Sequence, residues 1–124
     1  MSIRFLFSTI AALCIAVPAH AAEAPVRVQQ EVTYLLDAVG SSQCQFNRNG
    51  AWYEGEQARA HLRKKFDYLA KKNMVATTEN FIERAATSSS TSGKNYQIRC
   101  PGAAPVDSAV WLQERLASLR RQGR

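Results

Sequence analysis

The chain has 124 residues, of which 46% are hydrophobic and 21% are charged. This length supports one domain with a modest core and excludes two separately folded domains. The net charge of +6 favours an anionic partner over a basic one, because like charges slow association.

The first 21 residues have the pattern of a secretory signal peptide. Arg4 provides the positive start, residues 5–17 form an apolar run, and Ala19-His20-Ala21 is a small-x-small cleavage site. The apolar run is short for a membrane-spanning helix. We therefore expect cleavage near Ala21, a mature domain of residues 22–124 without a membrane span, and a periplasmic or secreted location.

The first element predicted in the mature chain is a helix. Its apolar residues recur at helical spacing from Pro25 to Val39. Gly40 follows at the position of a C-terminal cap, so the helix is expected to end there.

The next segment predicts a β-hairpin. Asn49-Gly50 is the favoured pair for a two-residue type I′ turn, since both positions require a positive φ. This turn places Phe46 opposite Tyr53. Side chains alternate along a strand, so these two aromatic residues share a face with Cys44, whereas Trp52 lies on the other face.

Two further helices and a loop are predicted after the hairpin. The longer helix runs from about Glu56 to Asn73, and a shorter one starts near Thr77, a residue type that favours the N-cap. The run from Thr87 to Gly93 is rich in serine and threonine. Because their hydroxyls compete for backbone hydrogen bonds, we expect this run to be a loop.

The last part of the chain predicts one strand and one helix. Residues 95–100 alternate polar and apolar side chains, with Cys100 on the apolar face. A final helix begins near Asp107 or Ser108.

Two cysteines remain once the signal peptide is removed. Cys44 and Cys100 would most simply form one disulfide in an oxidising compartment. If they are bonded, the apolar face of the hairpin and that of residues 95–100 lie on the same side of one sheet. The predicted fold is therefore α+β, a small antiparallel sheet (the hairpin plus one later strand) packed against about four helices. Neither cysteine has the spacing of a metal site, and we expect no metal and no cofactor.

His61 is the only histidine of the predicted mature chain. A small hydrolase would have to use it with a serine from the Ser88–Ser92 loop, but no G-x-S-x-G motif is present. A histidine at the edge of a helix's apolar face more often has a structural role. We therefore assign no catalytic residue and favour a protein that is not an enzyme.

Basic residues cluster on the predicted second helix, at Arg63-Lys64-Lys65 and Lys71-Lys72. Such a face attracts polyanions when it is not simply solvated. An exported protein rarely meets nucleic acid, so an anionic envelope component or another envelope protein is the better partner.

Two combinations of motifs carry a family resemblance: Arg48-Asn49-Gly50 with His61-Leu62, and Phe81-Ile82 with the serine-rich run to Gly93. From Phe46 to about Ile98 the chain resembles the YfeK-like family of small exported bacterial proteins. The resemblance implies an envelope protein of unknown activity and brings no catalytic residue, cofactor or substrate.

The leading hypothesis is a non-enzymatic domain of the cell envelope that binds a ligand or partner. Arg48 would contact an anion, Trp52 would offer a stacking surface, and His61 would donate hydrogen bonds together with the loop serines. The alternatives are the small hydrolase and a secreted enzyme inhibitor. The candidate binding residues are Arg48, Asn49, Trp52, His61, Ser88, Ser89 and Ser90.

Overall fold

A computed structural model describes Ser2, residues 10–15 and residues 24–123 of the chain. Most of the predicted signal peptide, including the cleavage site near Ala21, lies outside the described residues. Among the helices that are described, none combines the length and apolarity needed to cross a membrane.

Residues 24–123 form an α+β fold, as the sequence predicts. Within this range the strands form one antiparallel sheet in the order β2-β1-β3-β4. The helices are α1 (Val26–Ser41), α2 (Gly55–Lys71), α3 (Thr78–Ala85) and α4 (Ser108–Arg121); the strands are β1 (Gln45–Arg48), β2 (Ala51–Glu54), β3 (Gln97–Arg99) and β4 (Val106–Asp107).

The hairpin has the predicted register. Phe46 pairs with Tyr53 and Arg48 with Ala51. Asn49 and Gly50 both have positive φ, 54° and 84°, as a type I′ turn requires. The turn therefore decides which side chains of β1 face the helices.

The core lies between the helices and one face of the sheet. Phe46 and Ile98 point from β1 and β3 into it and are buried. Phe81 of α3 is fully buried and packs edge-on against Phe66 of α2, with ring centres 5.6 Å apart. The opposite face of the sheet carries polar side chains and Trp52.

Cys44 and Cys100 form a disulfide, which confirms the predicted pairing. Cys44 immediately precedes β1 and Cys100 immediately follows β3. Because these strands are antiparallel neighbours, with Gln45 opposite Arg99, the two cysteines meet at one end of the sheet. Their Cα atoms are 4.2 Å apart although 56 positions separate them in sequence.

The predicted end of the first helix is wrong. Helix α1 continues through Gly40 to Ser41, and the left-handed residue after it is Gln43, with φ 59°. Gly40 has a packing role instead, since a Cβ there would lie 2.9 Å from Cδ of Arg59. The missing side chain lets α2 approach the end of α1 closely.

Two features exceed what the sequence predicts. A fourth strand, β4, pairs with β3 through Ile98 and Val106. The serine-rich run is closed by backbone hydrogen bonds: the Ser89 N–H donates to the Lys94 carbonyl, and the Gly93 N–H donates to the Ser89 carbonyl, both at 2.9 Å. The run is thus a tight loop whose ends are fixed.

A buried ion pair joins α1, α3 and α4. Glu31 is 1% exposed and accepts two hydrogen bonds of 3.0 Å from the Arg120 guanidinium and one of 2.8 Å from the Thr78 hydroxyl. Arg120 also contacts Glu79. The Arg120 hydrogen bonds lower the pKa of Glu31 to about 2, against the opposing effect of burial.

Candidate functional site

An open pocket of about 390 Å³ lies between the hairpin turn, α2 and the serine-rich loop. We call it the basic pocket. It includes Arg48, Asn49, His61, Ser89 and Ser90 of the predicted site. Its lining residues are Arg48, Asn49, Ala51, Tyr53, His61, Lys65, Ser89, Ser90, Thr91 and Tyr96.

Arg48 enters this pocket because of the register of the hairpin. It lies two residues after Phe46 and so shares the helix-facing side of β1. Its guanidinium carbon is 4.9 Å from the centre of the Tyr53 ring, a cation–π distance. Its Nη1 atom lies 2.5 Å from Nδ1 of His61 on α2.

These contacts define the protonation state of His61. A guanidinium has no acceptor, so Nδ1 of His61 must accept from Arg48 and the ring proton must be on Nε2. Nε2 lies 3.3 Å from the Tyr96 hydroxyl, to which it donates. Burial and then the charges of Arg48 and Lys65 lower the pKa of His61 to about 4, so the ring is neutral at pH 7.

Lys65 lies one turn after His61 on α2 and reaches the same phenol. Its Nζ donates to the Tyr96 hydroxyl at 3.1 Å and to the Ser88 carbonyl at 3.4 Å. Tyr96 therefore accepts hydrogen bonds from both His61 and Lys65. These contacts hold the lysine charge beside the serine-rich loop.

The serine-rich loop is attached to the hairpin turn. The Ser92 hydroxyl donates to Oδ1 of Asn49 at 2.5 Å. Ser89 is buried, and its hydroxyl lies 2.9 Å from that of Thr91, so it stabilises the loop itself. Ser90 is exposed at the pocket wall, whereas Ser88 contributes its carbonyl to Lys65.

Trp52 lies apart from this group. It is half-buried on the outer face of the sheet, where the Arg99 guanidinium carbon is 4.1 Å from the centre of its ring. Trp52 does not line the basic pocket. Trp52 therefore belongs to a different surface from the other candidate residues, and Arg99 stacks on its ring.

The basic pocket carries positive charge without a matching carboxylate. Its lining contains Arg48 and Lys65 but neither aspartate nor glutamate. The salt bridges within the described part of the chain involve Arg59 and Arg120. Arg48 and Lys65 thus keep charge and N–H donors available for an anion.

His61 is not paired with a serine in the basic pocket. Both ring nitrogens of His61 are engaged, by Arg48 and Tyr96, and its hydrogen bonds in the described chain include none to a serine. Over the described ranges, no three histidine, cysteine, aspartate or glutamate side chains are grouped as metal ligands would be.

Sequence reasoning missed Lys65 and Tyr96 as pocket residues. The sequence predicts Lys65 only as part of the basic face of α2, yet its spacing of four residues from His61 puts both on one side of that helix. Tyr96 directly precedes β3, and its buried side chain reaches His61 and Lys65 because β3 lies beside β1.

The fold and the pocket define a small α+β domain with one disulfide and a basic pocket beside its hairpin turn. The chain belongs to the DUF5329 family, a family of unknown function, whose profile matches residues 26–120. It is similar to the uncharacterised protein YfeK of Salmonella typhimurium, with 33% identity over 88 residues, which cover 70% of this chain and 71% of that protein. This confirms the predicted family resemblance. No solved structure matches the chain.

Proposed function

We propose that this protein is an exported, periplasmic domain of the cell envelope that binds a small anionic ligand without chemical turnover. The observation that carries the proposal is the convergence of Arg48, Lys65 and neutral His61 on one open pocket whose lining has no carboxylate. The N-terminal sequence pattern and the disulfide support export, since disulfides persist in oxidising compartments.

The ligand would use donors that already have a fixed geometry. Arg48 is held by His61 and by the Tyr53 ring, and Lys65 is held by Tyr96 and the Ser88 carbonyl. Side chains that are ordered before binding lose less entropy on binding. A carboxylate or phosphate is the class of ligand that matches a guanidinium, an ammonium and nearby hydroxyls.

The geometry argues against the hydrolase alternative. A general base needs a free lone pair near the nucleophile, but Nδ1 of His61 accepts from Arg48 and Nε2 carries a proton. With its pKa near 4, His61 is also a weak base at neutral pH. Binding without turnover is the better fit to these contacts.

The test is an anion titration followed by NMR, with inorganic phosphate and acetate as probes. Arg48→Ala should weaken binding about tenfold or more, because a charge-assisted hydrogen bond is lost. Arg59→Ala is the matched control, since Arg59 lies on the same helix as His61 but pairs with Asp37 outside the pocket. Equal affinities of the wild type and Arg48→Ala would refute the pocket assignment.

A second measurement uses His61 as a reporter. An anion between Arg48 and Lys65 reduces their repulsion of an imidazolium, so the pKa of His61 should rise from about 4 when the probe binds. Export is tested by mass spectrometry of the protein from a periplasmic extract, where the chain should begin at Ala22. An intact Met1 terminus in the cytoplasmic fraction would contradict export.

A further inference from the structure

A second, smaller cavity opens beside the basic pocket and shares part of its wall. Its volume is about 150 Å³, and Arg48, Tyr53, His61 and Tyr96 line both spaces. We call it the apolar cavity. The remaining lining residues are Phe46, Asn47, Gln57, Ala58, Leu62, Ala86, Ser108 and Leu112.

The deep wall of the apolar cavity is built from core residues. Leu112 and Ala86 are each 1% exposed, and Leu62 and Phe46 are 5% and 7% exposed. Asn47 and Gln57 are less buried. An engineered cavity of this volume, lined by leucine, isoleucine and phenylalanine, holds a benzene ring.

One residue in the wall of this cavity carries an enclosed polar atom without a partner. The Ser108 side chain is buried, and its Oγ is the buried side-chain oxygen or nitrogen that lacks a hydrogen bond in the described part of the chain. A buried hydroxyl without a partner costs free energy, so such groups normally find one. The cavity therefore offers an apolar space, and a rotation of the Ser108 side chain would bring a hydrogen-bonding group to its wall.

We propose that the ligand is a small aromatic carboxylate with a polar atom on its ring, whose ring occupies the apolar cavity and whose carboxylate pairs with Arg48. This inference rests on the proposed anion-binding function, because Arg48 would bind the charged end. Ser108 Oγ, which is enclosed in the free protein, would turn toward the polar atom on the ring and hydrogen-bond it. A ring gains affinity by leaving water, and the hydroxyl gives selectivity among rings of equal size.

The experiment compares three probes on the full mature chain: acetate for the charged end, phenol for the ring, and 4-hydroxyphenylacetate for both. Binding is followed by NMR, with the methyl signals of Leu62, Ala86 and Leu112 reporting on the cavity. The combined probe should bind at least about tenfold more tightly than acetate, and phenol should shift the same methyl signals.

Two substitutions separate the ring site from the anion site. Ala86→Leu fills the cavity and should reduce the affinity for 4-hydroxyphenylacetate to that for acetate, while acetate binding is unchanged. Leu112→Ala enlarges the cavity and should improve binding of naphthylacetate, which gives a second test if Ala86→Leu does not fold. Ser108→Ala should remove the preference for 4-hydroxyphenylacetate over phenylacetate.

The outcomes distinguish the two proposals. Acetate binding with no gain from the ring, and no methyl shifts with phenol, would overturn the ring site while the anion pocket stands. Phenol binding without acetate binding would support the ring site and contradict the anion pocket. An unchanged preference in Ser108→Ala would overturn the role of that hydroxyl.

Discussion

Removing Arg120 should destabilise the fold strongly and in a pH-dependent manner. Arg120→Met keeps the apolar stem of the side chain but leaves the Glu31 carboxylate, 1% exposed, with only the Thr78 hydroxyl. Breaking a buried pair typically costs about 3–5 kcal/mol. Because Arg120 itself is 36% exposed, we expect about 3 kcal/mol, or a drop in Tm of about 15 °C.

The pH dependence of this stability loss shows whether the unpaired Glu31 carboxylate causes it. In the wild type the pKa of Glu31 is about 2, below its ordinary value of 4.5, so the pair stabilises the fold above pH 4.5 and this stability is lost as pH falls toward 2. In Arg120→Met, burial without the guanidinium raises the pKa of Glu31 above 4.5. The folded variant then gains a proton as pH falls, so its deficit relative to the wild type should shrink between pH 7 and pH 4.

Urea denaturation at pH 7 and pH 4 measures both effects. Glu79→Gln is the matched control, because it removes the other partner of Arg120, and the Glu79 side chain is 53% exposed. The loss of this exposed pair should cost below about 1 kcal/mol. The argument that Glu31 becomes an unpaired buried charge would be refuted if Arg120→Met lost below about 1 kcal/mol in the free energy of unfolding. An equal loss at both pH values would refute it too.

Three further predictions concern single contacts. Gly55→Ala should cost about 2 kcal/mol in thermal denaturation, because its Cβ would lie 2.5 Å from the Val39 carbonyl oxygen; an unchanged Tm would contradict this packing. Reduction of the Cys44–Cys100 bond should lower the free energy of unfolding by about 4 kcal/mol, measured in urea with and without reductant, and identical curves would show that the bond does not restrict the unfolded chain. The pKa of folded His61 is about 4, below its ordinary 6.5, so its contribution to stability should be lost as pH falls from 6.5 toward 4. His61→Gln should therefore flatten the dependence of the free energy of unfolding on pH in this range. An unchanged dependence would assign it to other titratable groups.

The hairpin is predictable because its physical requirements are local, and the disulfide is predictable because two cysteines remain after the predicted signal peptide. Asn49-Gly50 selects one turn type, the turn fixes the register, and strand alternation places Cys44 on the inner face. The end of α1 was mispredicted since Gly40 is needed for close packing with α2, a long-range contact that the sequence does not show. Strand β4 has two residues, too few for an alternating pattern.

The candidate pocket is predictable only in part, because it also depends on long-range contacts. Arg48, Asn49 and the serine run are recognisable as turn and loop residues, but their contact depends on Ser92 reaching Asn49 across 43 positions. Tyr96 is shared by His61 and Lys65 because β3 lies beside β1, which is a tertiary arrangement.

The disulfide has a consequence for a chain that meets proteases. The serine-rich run lies between Cys44 and Cys100 in sequence, so cleavage of one peptide bond within it yields two pieces that remain covalently joined. One piece carries Arg48 and His61, and the other carries Tyr96. A nicked molecule therefore retains both halves of the basic pocket as long as the bond between the cysteines is oxidised.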